Sequence, residues 1–279
     1  MPELPEVETI VRSLRPQLVG RSIVSIECSW VRTLAPRLTL ARRLVVGKQF
    51  VDVSRRGKYV VFQLAGDGDD EAVTILVHLR MSGRLVIDRN QTPREKHERF
   101  RLGLRGGDEL RFVDARKFGR VVVTTRPQEV LNSLGVEPLD RRFTPQLLGS
   151  LLHGRSRILK PLLLDQSVIC GIGNIYSDEA LHRAGLHPCR SARTLNDAEV
   201  RRLHAGIRQA LQAGIASNGA SIDWVYPGGK MQERFRAYGR TGEPCSVCGA
   251  MIRRRVVGQR GTHFCPKCQR PPVGAGGRA

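Results

Sequence analysis

The 279-residue chain lacks any run approaching the roughly 18 consecutive apolar residues that a membrane-spanning helix needs, so a helical span is excluded. Its start, MPELPEVETIVR, places Glu3 and Glu6 where a secretory signal carries basic residues, so export by that route is not expected. Aromatic residues are scarce, at 5%, and no internal repeat occurs. No carboxylate cluster with an open metal position can be assembled, which argues against a metal-dependent nuclease. With 41% hydrophobic and 26% charged residues, wholesale disorder is ruled out. The length suits about two domains, each able to bury a core.

Acid is the other shortage. Asp and Glu number 26 against 46 Lys and Arg, a formal net charge of +20. That excess implies a polyanionic partner, nucleic acid ahead of an anionic membrane, unless it is simply an Arg-rich solvated surface. The basic residues are spread along the chain rather than gathered in a tail, which favours a folded groove.

Of the seven cysteines, four form Cys245-x2-Cys248 and Cys265-x2-Cys268, with 16 residues between the pairs. This spacing fits a tetrahedral zinc site on a hairpin, with a disulfide pair or redox motif as the other reading. Four protein ligands leave no open position, so the zinc would be structural. Cys28, Cys170 and Cys189 have no partner spacing and read as buried or incidental thiols. Reduced thiols holding a metal point to the cytosol.

Residues 5–18 read as a helix, with Pro5 in the first turn and Val7, Ile10, Val11, Leu14 and Leu18 on one face. From 22 to about 125 the chain is β-rich: SIVSIE, RRLVVGKQFVDVS, GKYVVFQL, VTILVHL, GRLVID, RFRLGL, ELRFVD and GRVVVTT, separated by turns such as GDGDDE, MSG and RGGDE. Many short strands at this spacing predict an antiparallel sandwich or barrel. Residues 126–145 carry three prolines and no clean period, and read as a linker. QLLGSLL, RILKPLLLD and NIYSDEALHRAG then read as helices. A longer one starts near Asn196, with Glu199 completing a capping box. The Pro/Gly-rich tail, 271–279, is expected to be disordered.

Pro2 is chemically suggestive. Once Met1 is removed, its nitrogen is a secondary amine. Terminal amines titrate near pH 8, so a useful fraction is uncharged and nucleophilic toward an electrophilic sugar carbon. Glu3 and Glu6 beside it could act as general acid or shape the local charge. The plainer reading is that Pro and Glu are simply good first-turn residues.

The start MPELPEVET, with RRGKYVVF (55–62), HLRMSG (78–83), DARKFG (114–119), LLDQ (163–166), GIGNIYSDEAL (171–181) and GQRGTHFCPKCQ (258–269), resembles the bacterial formamidopyrimidine-DNA glycosylases. The motifs occur in that family's order and span nearly the whole chain. The resemblance implies an α+β, two-domain protein: an N-terminal helix plus antiparallel β-sandwich, then a helical helix–two-turn–helix domain ending in a β-hairpin zinc finger. The expected limits are 1–130 for the catalytic sandwich, 131–228 for the DNA-binding helices and 229–279 for the four-cysteine zinc finger with its tail. It also implies damaged duplex DNA as partner, crossing between the halves, with the damaged nucleotide extruded into a pocket. One structural zinc is the only cofactor implied. The protein would be a cytoplasmic monomer acting on the nucleoid.

By the same resemblance Pro2 is the nucleophile, Glu3 the acid that opens the sugar, and Lys58 an aid to proton transfer in β-elimination. Read alone, Lys58 is a surface lysine. Met81, Arg116 and Phe118 become a wedge that fills the vacated stack, Arg116 bonding the orphaned base. Read alone, Met81 is loop packing and Phe118 core. His97 and Arg155 match DNA-contact positions, and Lys160 is a weaker candidate of that kind. Asn174 opens a helix after Gly171-Ile-Gly173 and suits a phosphate, a helix cap, or both. Arg260, in the finger's spacer, would meet DNA at the lesion and help δ-elimination. The contact made by Glu179 is left open. Two departures stand out: Asn218-Gly-Ala-Ser221 replaces an expected Gly-Gly-Thr-Thr-like loop, and Lys117 a common Arg. The rivals are an endonuclease VIII-like glycosylase for oxidised pyrimidines, against which Leu4-Pro5 speaks, and a non-catalytic zinc-ribbon binding protein, which leaves the start unexplained.

Overall fold

The computed structural model describes residues 1–66, 72–89, 92–153, 156–221 and 228–271. The chain divides into two compact units, Met1–Ser133 with Ser221–Gly228, and Leu134–Ala220 with Gly229–Ala279.

The first unit opens with α1 (Leu4–Leu18), whose Leu4, Val7, Ile10, Val11, Leu14 and Leu18 are all buried. Then come β1 (Ile23–Cys28), β2 (Leu34–Ala35), α2 (Leu38–Val45), β3 (Gln49–Arg56), β4 (Tyr59–Ala65), β5 (Val73–His78), β6 (Gly83–Arg89), β7 (Glu98–Leu104), β8 (Asp108–Asp114), β9 (Arg120–Thr124) and the short α3 (Gln128–Leu131). They form two sheets, β1-β7-β8-β6 and β2-β9-β5-β4-β3. All pairings are antiparallel except β2 with β9. Apolar residues of α1 and both sheets share one core, including Val7, Ile26, Phe62, Ile75, Phe112 and Val121. This is the expected sandwich.

One stretch is corrected. RRLVVGKQFVDVS is not a single strand: Arg42–Val45 closes α2, and β3 starts only at Gln49. Ala41 and Val45 lie four apart and are fully buried, so a helical face docks on the core there. Gly47, at φ +88°, turns the chain between the two elements. The parallel strand β2 was likewise unforeseen. The GDGDDE turn falls largely outside the described residues.

The second unit holds α4 (Pro145–His153), α5 (Leu159–Leu164), α6 (Asn174–Ala184), α7 (Asp197–Ala216) and the hairpin β10 (Arg253–Val257) with β11 (Arg260–Phe264). The expected box opens α7: Asn196 Oδ1 accepts from the Glu199 N–H at 2.9 Å, and Glu199 Oε2 from the Asn196 N–H at 3.0 Å. Gly185, left-handed at φ +67°, terminates α6. The tail from residue 272 lies outside the described residues.

Candidate active site

Pro2 and Glu3 are buried at the start of α1, while Met1 is half exposed. The Glu3 N–H donates to Glu6 Oε2 at 2.8 Å, so buried Glu6 caps the helix end. Two buried carboxylates thus sit side by side at the N-terminal end of the helix. On the β-sheet against which α1 packs, β3 and β4 are joined by the two-residue turn Gly57-Lys58. Gly57 adopts φ +56°, as such a turn requires. Arg55 ties this turn to α1: its Nε donates to Glu8 Oε2 at 3.2 Å and its Nη1 to the Gly57 carbonyl at 3.0 Å. Lys58 is 5% exposed, so it is not the surface lysine that the bare sequence suggests. His78, paired across the sheet with Tyr59, packs edge-on against that ring at 4.8 Å. Burial, then the charges of Arg80 and Lys58, push its imidazole down to about 3. The ring is neutral, and its Nδ1 accepts from the Arg80 N–H at 3.0 Å.

Met81 occupies the turn between β5 and β6, closed by the Gly83 N–H donating to the Leu79 carbonyl at 3.0 Å. Arg116 and Phe118 occupy the turn between β8 and β9. Met81 is 41% and Phe118 48% exposed, so neither is packed away as a loop or core residue. The Arg116 guanidinium lies 5.1 Å from the Phe118 ring centre, and the Lys117 ammonium 4.2 Å from that of Trp30. His97 is half-buried, its Nδ1 3.3 Å from Arg99 Nη2.

In the second unit Asn174 is not the helix cap; Gly173 is. The Asn174 amide instead reaches across to the zinc hairpin, Nδ2 donating to the Gly261 carbonyl at 3.0 Å. Lys160, expected as a phosphate contact, is wholly buried. Its ammonium donates to the Asn174 carbonyl (3.0 Å), Ser177 Oγ (2.7 Å) and Asp178 Oδ1 (2.5 Å). A lysine without solvent exposure must be paired, and here the pairing consumes it. Asp178 Oδ2 in turn accepts from the His263 N–H at 2.8 Å and faces its Nδ1 at 3.0 Å. Lys160 of α5 thus pins Asp178, which in turn ties α6 to β11. Arg260 is the exposed first residue of β11, after the two-residue turn Gly258-Gln259, both at positive φ. A Cβ on Gly258 would lie 2.7 Å from Pro161 Cγ, so that turn needs glycine for space as well as for φ. Glu179 is fully buried, its carboxylate accepting from the N–H groups of Arg236, Ala237 and Tyr238. It shapes that loop, and burial raises its pKa against the pull of those bonds. Arg155 lies outside the described residues.

Sγ atoms of Cys245, Cys248, Cys265 and Cys268 all lie within 4.8 Å of one another. Cys248 and Cys265 are 3.4 Å apart, and Cys245 and Cys268 3.9 Å. A tetrahedron of thiolates about zinc has edges of about 3.8 Å, so the residues fit the metal. The N–H groups of Val247 and Cys268 point at Cys245 and Cys265 sulfurs, at 3.5 and 3.4 Å, the donors a thiolate cluster needs. Gln269 Oε1 accepts from the Cys265 N–H, and its Nε2 donates to the Leu186 carbonyl just beyond α6.

Comparison with known proteins matches residues 1–121 to the formamidopyrimidine-DNA glycosylase N-terminal domain. Residues 134–225 match the H2TH domain of the same family, and 242–271 a zinc finger found in FPG and IleRS. The formamidopyrimidine-DNA glycosylase of Brevibacillus brevis is 43% identical over 97% of this chain and 99% of that protein. Its Roseiflexus sp. counterpart is 44% identical over 97% and 100%. The chain belongs to the formamidopyrimidine-DNA glycosylase family. Among solved structures, MutM in complex with carbocyclic 8-oxo-G containing DNA superposes with a TM-score of 0.88 at 38% identity, over 97% of this chain and 100% of that one. The Lactococcus lactis Fpg with abasic-site DNA superposes at 0.88 and 36% identity, covering 96% and 100%. The departure from the family's expected loop is a tight turn, with Asn218 and Gly219 both at positive φ; residues 222–227 after it are outside those described. Three residues with evident roles here, Arg55, His78 and Asp178, were not singled out by the sequence. All of them lie inside quoted motifs, but a charged side chain or a histidine reads there as ordinary polarity until its partners are known.

Proposed function

We propose that this glycosylase excises oxidised purines, 8-oxoguanine and formamidopyrimidines, from duplex DNA and then cleaves the strand as an abasic-site lyase. After Met1 is removed, the Pro2 nitrogen attacks C1′ and the bond from C1′ to the damaged base breaks. Glu3 protonates the ring oxygen as the sugar opens, leaving an iminium between Pro2 and C1′. Loss of a proton from C2′ expels the 3′ phosphate, and a second elimination expels the 5′ phosphate. A one-nucleotide gap remains. Lys58 assists these proton transfers, and Arg260 the second elimination. Met81, Arg116 and Phe118 fill the vacated stack, while His97, Arg155 and Asn174 hold the backbone. Zinc, held by four cysteines, supplies rigidity to the hairpin rather than chemistry.

The observation that carries this reading is the start of α1: Pro2 and Glu3 are buried at the head of a helix whose Glu8 is tied, through Arg55, to the turn that carries buried Lys58. Relatives held with 8-oxo-G, abasic and N7-benzyl-Fapy-dG DNA support the choice of substrate. The proposed division is 1–130 for catalysis, 131–228 for DNA binding and 229–279 for the finger, in a monomer acting on cytoplasmic DNA. Borohydride reduction on 8-oxoguanine duplex should give a covalent adduct, and retention of Met1 should abolish it. An equal adduct from protein that keeps Met1 would refute the mechanism. Excision confined to oxidised pyrimidines would refute the substrate.

A further inference from the structure

Three stretches given DNA contacts above meet at one side chain that has no role so far. Asp114, the last residue of β8, is fully buried. Its Oδ1 accepts from Ser82 Oγ at 2.5 Å and from the Arg116 N–H at 3.2 Å; its Oδ2 accepts from the Gly119 N–H at 2.7 Å. Ser82 Oγ is also 3.2 Å from the Arg116 nitrogen. Through its backbone, Asp114 donates to the His97 carbonyl at 2.9 Å and accepts from Arg99 Nε at 2.9 Å. Ser82 directly follows Met81, and Arg116 and Gly119 flank Phe118. The same two turns also straddle one ring. A Cβ on Gly83 would lie 2.7 Å from Phe112 Cε2, and one on Gly119 2.3 Å from Phe112 Cζ.

Met81 and Phe118 are too exposed to be held by packing of their own. A side chain that enters a base stack must nevertheless keep its place while unstacking is resisted. The rigidity then has to come from the backbone beneath it. Bonds to a buried carboxylate are the strong kind, and sharing one carboxylate couples the groups that donate to it.

We propose that Asp114 is a positioning residue that clamps the Met81 turn to the Arg116–Phe118 turn, so that both enter the base stack as one wedge. This rests on the wedge role assigned above. A neutral amide cannot satisfy all the donors, because its NH2 would face the Arg116 N–H in one orientation and the Gly119 N–H in the other.

The test compares two reactions for each variant: single-turnover excision of 8-oxoguanine from duplex DNA, and borohydride trapping on single-stranded abasic DNA, which has no stack to fill. Asp114→Asn and Ser82→Ala should each lower the ratio of duplex excision to trapping about tenfold or more, the scale of one buried charge-assisted bond. A 2-aminopurine beside the lesion should show slowed extrusion in the same variants. Ser82→Ala added to Met81→Ala should lower the ratio further by no more than about twofold, since both act through one wedge. If Asp114→Asn does not fold, Ser82→Ala and the double variant carry the test. A wild-type ratio in Ser82→Ala overturns the clamp. So does an equal loss of both reactions, which would signify general damage. If Met81→Ala itself leaves the ratio unchanged, the wedge role fails, and the clamp with it.

Discussion

At the scale of single residues, the chemistry depends on which groups are charged where they are buried. His78 is the clearest case. Burial and two neighbouring cations hold its imidazole at about 3, far below the roughly 6.5 of an unfolded chain. The unfolded state therefore takes up the proton first as pH falls. Stability from this residue is complete above about pH 6.5 and is lost progressively toward pH 3. His78→Asn, which keeps an acceptor for the Arg80 N–H, should flatten the decline in urea stability between those limits. Parallel declines in variant and parent would exclude His78 as the responsible group. In the parent, the His78 ring protons should not shift between pH 5 and 8.

At the scale of elements, the zinc hairpin is the least self-sufficient part. Its buried cluster consists of Cys245, Ile252 and Cys265, with little around them. Structural zinc contributes on the order of 10 kcal/mol or more to folding such modules, well beyond what three small side chains supply. Chelation should therefore unfold the hairpin, release Arg260 and abolish DNA binding. The sandwich has its own extensive core and should keep its thermal transition. Calorimetry with and without chelator, beside a DNA-binding assay, checks this. Loss of both transitions at one chelator dose would contradict it. The helices show the opposite economy: α7 is capped by its own neighbours, whereas α6 is fastened to the hairpin by Asp178 and Asn174.

At the scale of the whole molecule, the net charge of +20 dominates. Among the described residues, several buried or half-buried acidic side chains are paired with basic ones, as in the pairs of Glu109 with Arg101 and Arg111, Glu199 with Arg190 and Asp178 with Lys160. Each pair uses one charge of either sign, so the excess of 46 Lys and Arg over 26 Asp and Glu remains available to phosphate. If about six phosphates are neutralised, log affinity plotted against log salt should fall with a slope near −5. A flat dependence would show that binding does not rest on this charge.

Sequence alone determined the features whose physics is local. The Cys-x2-Cys pairs, the α1 face, the Asn196–Glu199 box and most strands are written within a few positions of one another, where spacing and period are decisive. It misread RRLVV, because a short apolar run fits strand and helix alike until a core chooses between them. Only the tertiary structure decided that Lys58 and Lys160 are buried, that Asn174 binds the hairpin and that Asp114 joins two turns. Those outcomes depend on partners far along the chain, Ser82 with Asp114 across 32 residues and Asp178 with His263 across 85. A buried charge is specified by what folds around it, and no local pattern encodes that.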